Sequence, residues 1–220
     1  MQPRTGTGFI GMIRTYAALA AGFIIALLGG LAFLVVSGRG EEDPFATCRS
    51  TNIAGGAGQI GGPFSLVDGQ GETVTEKTVL TKPSLVYFGY TFCPDVCPFD
   101  MVRNAEAVDL LEEKGKEVTP VFITVDPDRD TPAVVGEWSS AMHPRAIGLT
   151  GSQEQIHTAA QAYKVYYHVP EHAAGDESYL VDHSTFTYLM LPGYGFVDLI
   201  RRDQTPEQVA ETAACFIDHM

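Results

Sequence analysis

Cys93 and Cys97 are the residues of this 220-residue chain best placed to do chemistry, because C-x3-C at the start of a helix sets two sulfurs on one side, about one turn apart. They lie in Tyr90-Thr-Phe-Cys-Pro-Asp-Val-Cys-Pro98, between a strand-like run and a helix-like run. The free amides and macrodipole of a helix start are expected to lower a thiol pKa. Two thiolates select soft metal ions, with Cu(I) the natural candidate, and an imidazole can complete a three-coordinate site or help accommodate Cu(II). The same pair can instead form a structural disulfide or a redox-active one. Spacing alone leaves all three readings open.

The elements that must hold this pair read as α/β. Ser84 to Gly89 is a buried-type strand that runs into the cysteine loop, and Phe99, Val102, Ala105, Val108, Leu110 and Leu111 follow at roughly helical spacing. Val118 to Val125 is the next strand, then the polar loop Asp126-Pro-Asp-Arg-Asp-Thr-Pro132 and a helix with Val134, Val135, Trp138 and Met142. Ala146 to Leu149 is a short strand, Ser152 to Tyr163 a helix, and Val165 to Val169 a strand. Alternating strands and helices favour an α/β domain. A β-hairpin turning at Asp68-Gly69 opens it, and a second joins Ser184–Leu191 to Phe196–Ile200. Thr205, Pro206 and Gln208 mark the start of the last helix as N-cap, first position and capping-box partner.

Tyr16 to Val36 has no charged residue and is long enough to span a bilayer as a helix. Arg4 and Arg14 precede it, while Glu41, Glu42 and Asp43 follow, which predicts a cytoplasmic N-terminus over residues 1–15, an anchor over 16–36 and export of the rest. The run is longer than a usual signal-peptide core and ends in no A-x-A site, so an uncleaved anchor is expected. Residues 37–61 are acidic and glycine-rich and read as a flexible tether, leaving residues 62–220 as the folded domain. None of the 27 Asp and Glu residues precedes the anchor, so the exported part is more acidic than the net −13 of the chain. That sign opposes nucleic acid as a partner and suits a solvated acidic surface.

Six histidines compete for a ligand role, and residue type alone favours none of them. His168 and His172 are separated by Pro170, which argues against a chelating pair, and His143, His157 and His219 read as structural or exposed. His183 sits where a polar loop meets a strand, and Asp182 beside it either orients the ring or faces solvent. Cys48 and Cys215 are expected to pair or to stay free, with nothing in the sequence to decide. The Asp126 to Asp130 loop flanks the site or merely satisfies itself by turns and local ion pairs, and the second reading is the simpler one.

Three segments carry a family resemblance: Val86-Tyr-Phe-Gly-Tyr-Thr-Phe-Cys-Pro-Asp-Val-Cys-Pro98, Val125-Asp-Pro-Asp-Arg-Asp-Thr131 and Val181-Asp-His-Ser184. In this order they resemble the Sco/SenC family, and the resemblance runs from about Gly62 to the C-terminus. It implies a thioredoxin-like fold and one copper ion, Cu(I) or Cu(II), held by Cys93, Cys97 and His183. It also implies a chaperone role in assembling the Cu(A) centre of cytochrome c oxidase, with oxidase subunit II as recipient and an upstream copper donor. A thiol-disulfide oxidoreductase using Cys93 and Cys97 to keep the oxidase subunit reduced is the alternative, as is a redox or copper sensor. Neither chaperone nor sensor would be a conventional enzyme. With no Arg- and Ser-rich presequence before the anchor, a bacterial inner membrane with the domain in the periplasm is expected.

Overall fold

The computed structural model describes residues 7–37, 43–49, 57–171, 173, 175 and 178–220. The chain divides into two units, Met1–Asp43 and Pro44–Met220. The first holds one helix, α1 (Thr7–Ser37), on which Phe23, Ile25 and Phe33 are exposed. Its described side chains are Tyr16 and those of residues 18–34. Among the described residues no helix is long and apolar enough to cross a membrane; a helix over the expected anchor is established, a crossing is not.

The second unit begins at Pro44 rather than near Gly62, which corrects the tether. Phe45 is 3% exposed and packs on Phe216 and Tyr194, and Cys48 forms a disulfide with Cys215. Both residues lie in a stretch whose glycines and acids hide one aromatic and one thiol able to dock. At the other end of the expected tether Ala57–Gln59 forms a 3-10 turn, Ile60 packs against the core and the Gly61 amide donates to Ala162 O, while residues 38–42 and 50–56 lie outside the described residues.

A hairpin of β1 (Ser65–Asp68) and β2 (Thr73–Thr75) opens the domain as expected, closed by Asp68 Oδ1 accepting from the Gln70 and Glu72 amides. The one-turn helix α2 (Glu76–Val79) leads to β3 (Ser84–Gly89), which is wholly buried. Then follow α3 (Val96–Glu113), β4 (Thr119–Thr124), α4 (Pro132–Met142), β5 (Ile147–Thr150) and α5 (Gln153–Ala162). The helical crossovers leave β3, β4 and β5 parallel. After the short strands β6 (Tyr167–His168) and β7 (Asp182–His183), the chain forms the hairpin β8 (Thr187–Leu191) and β9 (Gly195–Ile200) and ends in α6 (Pro206–Asp218). The main sheet runs β2-β1-β5-β4-β3-β8-β9, a mixed α/β sheet with β3 and β4 at its centre.

Alternation along β3 sends its side chains to opposite faces. Leu85 shares a buried cluster with Ala107, Val108 and Leu111 of α3 and Val209, Ala213 and Phe216 of α6, while Phe88 packs tilted against Tyr163 and edge-on against Tyr188 on the other face. The capping box expected at Thr205 is formed, and Ser152 caps α5 with a second one completed by Gln155.

Two expected strands are shorter than the sequence suggested. Val165 to Val169 pairs only at Tyr167 and His168, because the Val165 amide donates to Ala160 O and the Tyr166 amide to Ser184 Oγ. Main-sheet pairing begins at Thr187, not Ser184, so His183 lies in a separate two-stranded ribbon with β6 rather than at the edge of the sheet.

Candidate metal centre

The centre forms at the C-terminal end of β3, where the chain leaves the sheet at Gly89 and turns into α3. Cys93 N–H donates to Tyr90 O and closes the turn. Helix α3 starts at Val96, so Cys97 sits in its first turn and Cys93 just before it. Asp95, the N-cap residue by position, makes no side-chain cap bond. The Cys93 sulfur takes that place: it accepts the Cys97 amide at 3.4 Å and is hydrogen-bonded by the backbone at Asp95 and Val96. A helix start thereby finds an anionic partner for amides that would otherwise be unsatisfied.

The two thiols are therefore unequal. A hydrogen bond from the Cys97 thiol, aided by these amides, brings the Cys93 pKa down to about 4 against the opposing effect of burial. Cys97 is fully buried, and its bond to the Cys93 sulfur together with burial pushes its pKa far up. The pair thus rests as one thiolate and one thiol sharing a proton.

The imidazole of His183 arrives from the β6–β7 ribbon, far away in sequence. Its Nε2 lies 3.4 Å from Cys97 Sγ, and its Nδ1 lies 2.9 Å from Ser184 O. A carbonyl only accepts, so Nδ1 carries the hydrogen and Nε2 presents its lone pair to the sulfurs. Asp182 does not orient the ring; its residue is exposed and pairs across the ribbon with His168. Tyr87 and Tyr90 instead set their rings at nearly right angles to the imidazole, at 6.2 and 5.8 Å. Cys93, Cys97 and His183 offer donor atoms that all lie within 4.8 Å of one another. A three-coordinate ion with bonds near ~2.3 Å separates its ligands by about 4 Å, so two sulfurs and one imidazole nitrogen fit a soft ion with small adjustments.

Several residues that build the site were not singled out by sequence reasoning. Gly89 is one: a Cβ there would stand 2.9 Å from Cys97 Sγ and 2.9 Å from the Tyr87 ring, so only glycine lets the sulfur lie against the strand end. Tyr87 donates its hydroxyl to Asp100 Oδ2 at 3.0 Å, and burial pushes both groups' pKa values up. Asp100 is completed by Arg103 at 3.5 Å and Arg202 at 3.6 Å. The signal available in the sequence was the pair of charges Asp100 and Arg103 on one helix, set among apolar neighbours.

The Asp126 to Asp130 loop corrects the simpler expectation for it. Asp126 and Arg129 do pair locally at 2.5 Å, but Asp130 reaches across the domain. Fully buried, it accepts the Thr91 amide at 3.0 Å and the Thr91 and Thr124 hydroxyls at 2.5 Å each, fixing the loop that carries Cys93.

Among the other candidates, His143 is buried between Asp109, 3.2 Å away, and the Arg145 amide. His157 packs on Tyr167, and His168 is exposed on the ribbon. His172 lies outside the described residues. Cys48 and Cys215 are joined as a disulfide with His219 nearby, so their sulfurs are spent on each other.

A family model described as SCO1/SenC matches residues 53–218. The chain belongs to the SCO1/SenC family. Protein SenC of Rhodobacter capsulatus is 54% identical over 202 residues, covering 92% of this chain and 90% of that one. The crystal structure of Arabidopsis thaliana ScoI with copper bound shares 42% identity over 72% of this chain and 99% of its own, with a TM-score of 0.67. The crystal structure of yeast Sco1 with copper bound shares 39% identity over 73% of this chain and 89% of its own, at a TM-score of 0.69. The SCO1/SenC domain therefore has the thioredoxin-like α/β fold expected for it.

Proposed function

We propose that this SCO1/SenC protein is a copper metallochaperone that carries one copper ion, as Cu(I) or Cu(II), on Cys93 Sγ, Cys97 Sγ and His183 Nε2. The observation that carries the reading is the meeting of those three donors within 4.8 Å from two distant parts of the chain. The copper-bound relatives share the fold that brings them together. Cys93 is already a thiolate and His183 already presents a lone pair, so arrival of the ion displaces the one proton held between the sulfurs. Cys93 and His183 are partly exposed and Cys97 is buried, which orders release: a recipient's ligands replace the outer two before the inner sulfur.

The recipient is the Cu(A) centre of cytochrome c oxidase, on subunit II, loaded from an upstream donor. The apolar run 16–36 and its flanking charges support an inner-membrane anchor with the domain in the periplasm, and the exposed apolar side chains of α1 suit a lipid surround. The disulfide Cys48–Cys215 accords with an oxidising compartment.

The thiol asymmetry also favours a second reading, a thiol-disulfide reductant for the same recipient. An accessible thiolate at Cys93 beside a buried thiol at Cys97 is the arrangement of an attacking and a resolving sulfur. Exchange chemistry has no use for His183. Copper affinity of the reduced chain, wild type against His183→Ala, decides: a large loss supports the chaperone, while unchanged affinity for both oxidation states refutes His183 as a ligand.

A further inference from the structure

We propose that Arg129 is the positioning residue that holds the His183 segment over the two cysteines, so that it supports the imidazole ligand and not the thiols. The proposal rests on the copper reading of the site. Arg129 joins two of the three segments of the resemblance, its own and the cysteine loop, to the stretch that leads into the third. Its side chain is 6% exposed, and its guanidinium lies 3.6 Å from the ring centroid of Tyr179, 4.9 Å from that of Phe92 and 5.5 Å from that of Tyr90. Tyr90 and Phe92 belong to the cysteine loop; Tyr179 stands four residues before His183.

Polar bonds fix the cation among these rings. Nε pairs with Asp126 Oδ2 at 2.5 Å, Nη1 donates to Tyr179 O at 3.0 Å, and the Tyr179 hydroxyl donates back to Asp126 Oδ1 at 2.8 Å. A flat, forked guanidinium can make these bonds and stack at once, and an ammonium cannot. Besides Arg129, the segment is held by the burial of Tyr179 and Val181 and by bonds in both directions between Ser184 and Tyr166. Tyr90 bonds the Val181 backbone, and the ribbon with β6 is two residues long. By contrast the cysteine loop is held independently by Asp130 and by the start of α3. Losing Arg129 should therefore loosen the segment before His183 more than it shifts Cys93 and Cys97, which Asp130 and the start of α3 still hold.

The two copper oxidation states separate these ligands. Cu(I) is satisfied by two thiolates, whereas Cu(II) draws more on imidazole nitrogen. The test uses the full chain, reduced, with Cu(II) or Cu(I) ions titrated against a competing chelator. Arg129→Ala is expected to weaken Cu(II) binding by about tenfold or more and Cu(I) binding by less than about threefold, within the range seen when residues that orient a ligand are lost. The Cu(II) electron paramagnetic resonance spectrum should shift toward that of His183→Ala, and Arg129→Ala should add nothing in the His183→Ala background. Arg129→Lys, which keeps the charge and perturbs folding least, should fall between wild type and Arg129→Ala. Equal losses for both ions, an unchanged Cu(II) affinity, or additive effects with His183→Ala would each overturn the proposal. A wild-type chain that binds neither ion overturns the copper reading itself.

Discussion

Replacing Cys48 and Cys215 together by serine should destabilise the domain strongly while leaving copper binding intact. The disulfide joins residues 167 apart in sequence, so reopening it returns to the unfolded chain nearly all the freedom of the folded unit. Loop-closure entropy for a loop of that length corresponds to about 5 kcal/mol at 25 °C, and measured disulfides usually reach ~2–4 kcal/mol. The native geometry here has two supports that survive the change, Phe45 buried on Phe216 and α6 packed on α3, so the loss should fall between about 3 and 5 kcal/mol. For a domain of this size that is a fall in Tm of roughly 10–15 °C. Serine is the right replacement, since a lone free cysteine would offer copper a new ligand. Circular dichroism on heating and in urea gives the stability, and chelator competition the copper affinity. A loss below about 1 kcal/mol would refute the staple. A copper affinity that falls with stability would refute the separation of disulfide from metal centre, which lie in different core clusters.

Other perturbations test the site. With its pKa near 4, Cys93 should be alkylated by iodoacetamide at pH 6 about three- to tenfold faster than a cysteine in an unfolded peptide, the larger thiolate fraction outweighing its lower nucleophilicity, with Cys97 protected; equal labelling of the two would contradict the assignment. Because that pKa is depressed from 9, the thiolate's contribution to stability is complete at high pH and is lost as pH falls through about 4, an acid limb that Cys93→Ser should remove. Asp130→Ala leaves the Thr91 amide and two hydroxyls without their acceptor and should cost about 3 kcal/mol with a parallel loss of copper affinity, whereas Asp130→Asn keeps an oxygen for Thr91 and should cost less than half as much in a urea titration. Gly89→Ala puts a methyl against Cys97 Sγ and the Tyr87 ring; a cost of about 1–3 kcal/mol and weaker Cu(I) binding are expected, and unchanged binding would show that the sulfur has room to move.

Most of the scaffold was legible because it follows from local rules. Ser152 and Thr205 each had a glutamine three residues on, and both capping boxes formed. The buried run Ser84 to Gly89 had a strand's composition and became the central strand. Errors fell where tertiary partners compete with local pattern. Val165 to Val169 has the residues of a strand, but the backbone groups of Val165 and Tyr166 are claimed by Ala160 and Ser184, and only two residues pair. Asp126-Pro-Asp-Arg-Asp reads as a self-contained turn, and nothing local reveals that Asp130 serves Thr91 or that Arg129 lies among three rings from other segments.

By itself the sequence determined the two thiols at a strand-to-helix junction, the alternation that makes an α/β sheet, and the acidic character of the domain, because each depends on residues close together or on totals. The tertiary structure alone decided how the cysteines differ and what joins them. Proton sharing needs the bond from the Cys97 thiol to the Cys93 sulfur and the burial of Cys97, and the meeting of His183 with those sulfurs needs a ribbon 86 residues away to fold back with Nδ1 tied to a carbonyl. Chelation depends on distance in space, and distance in space is what a linear pattern leaves out.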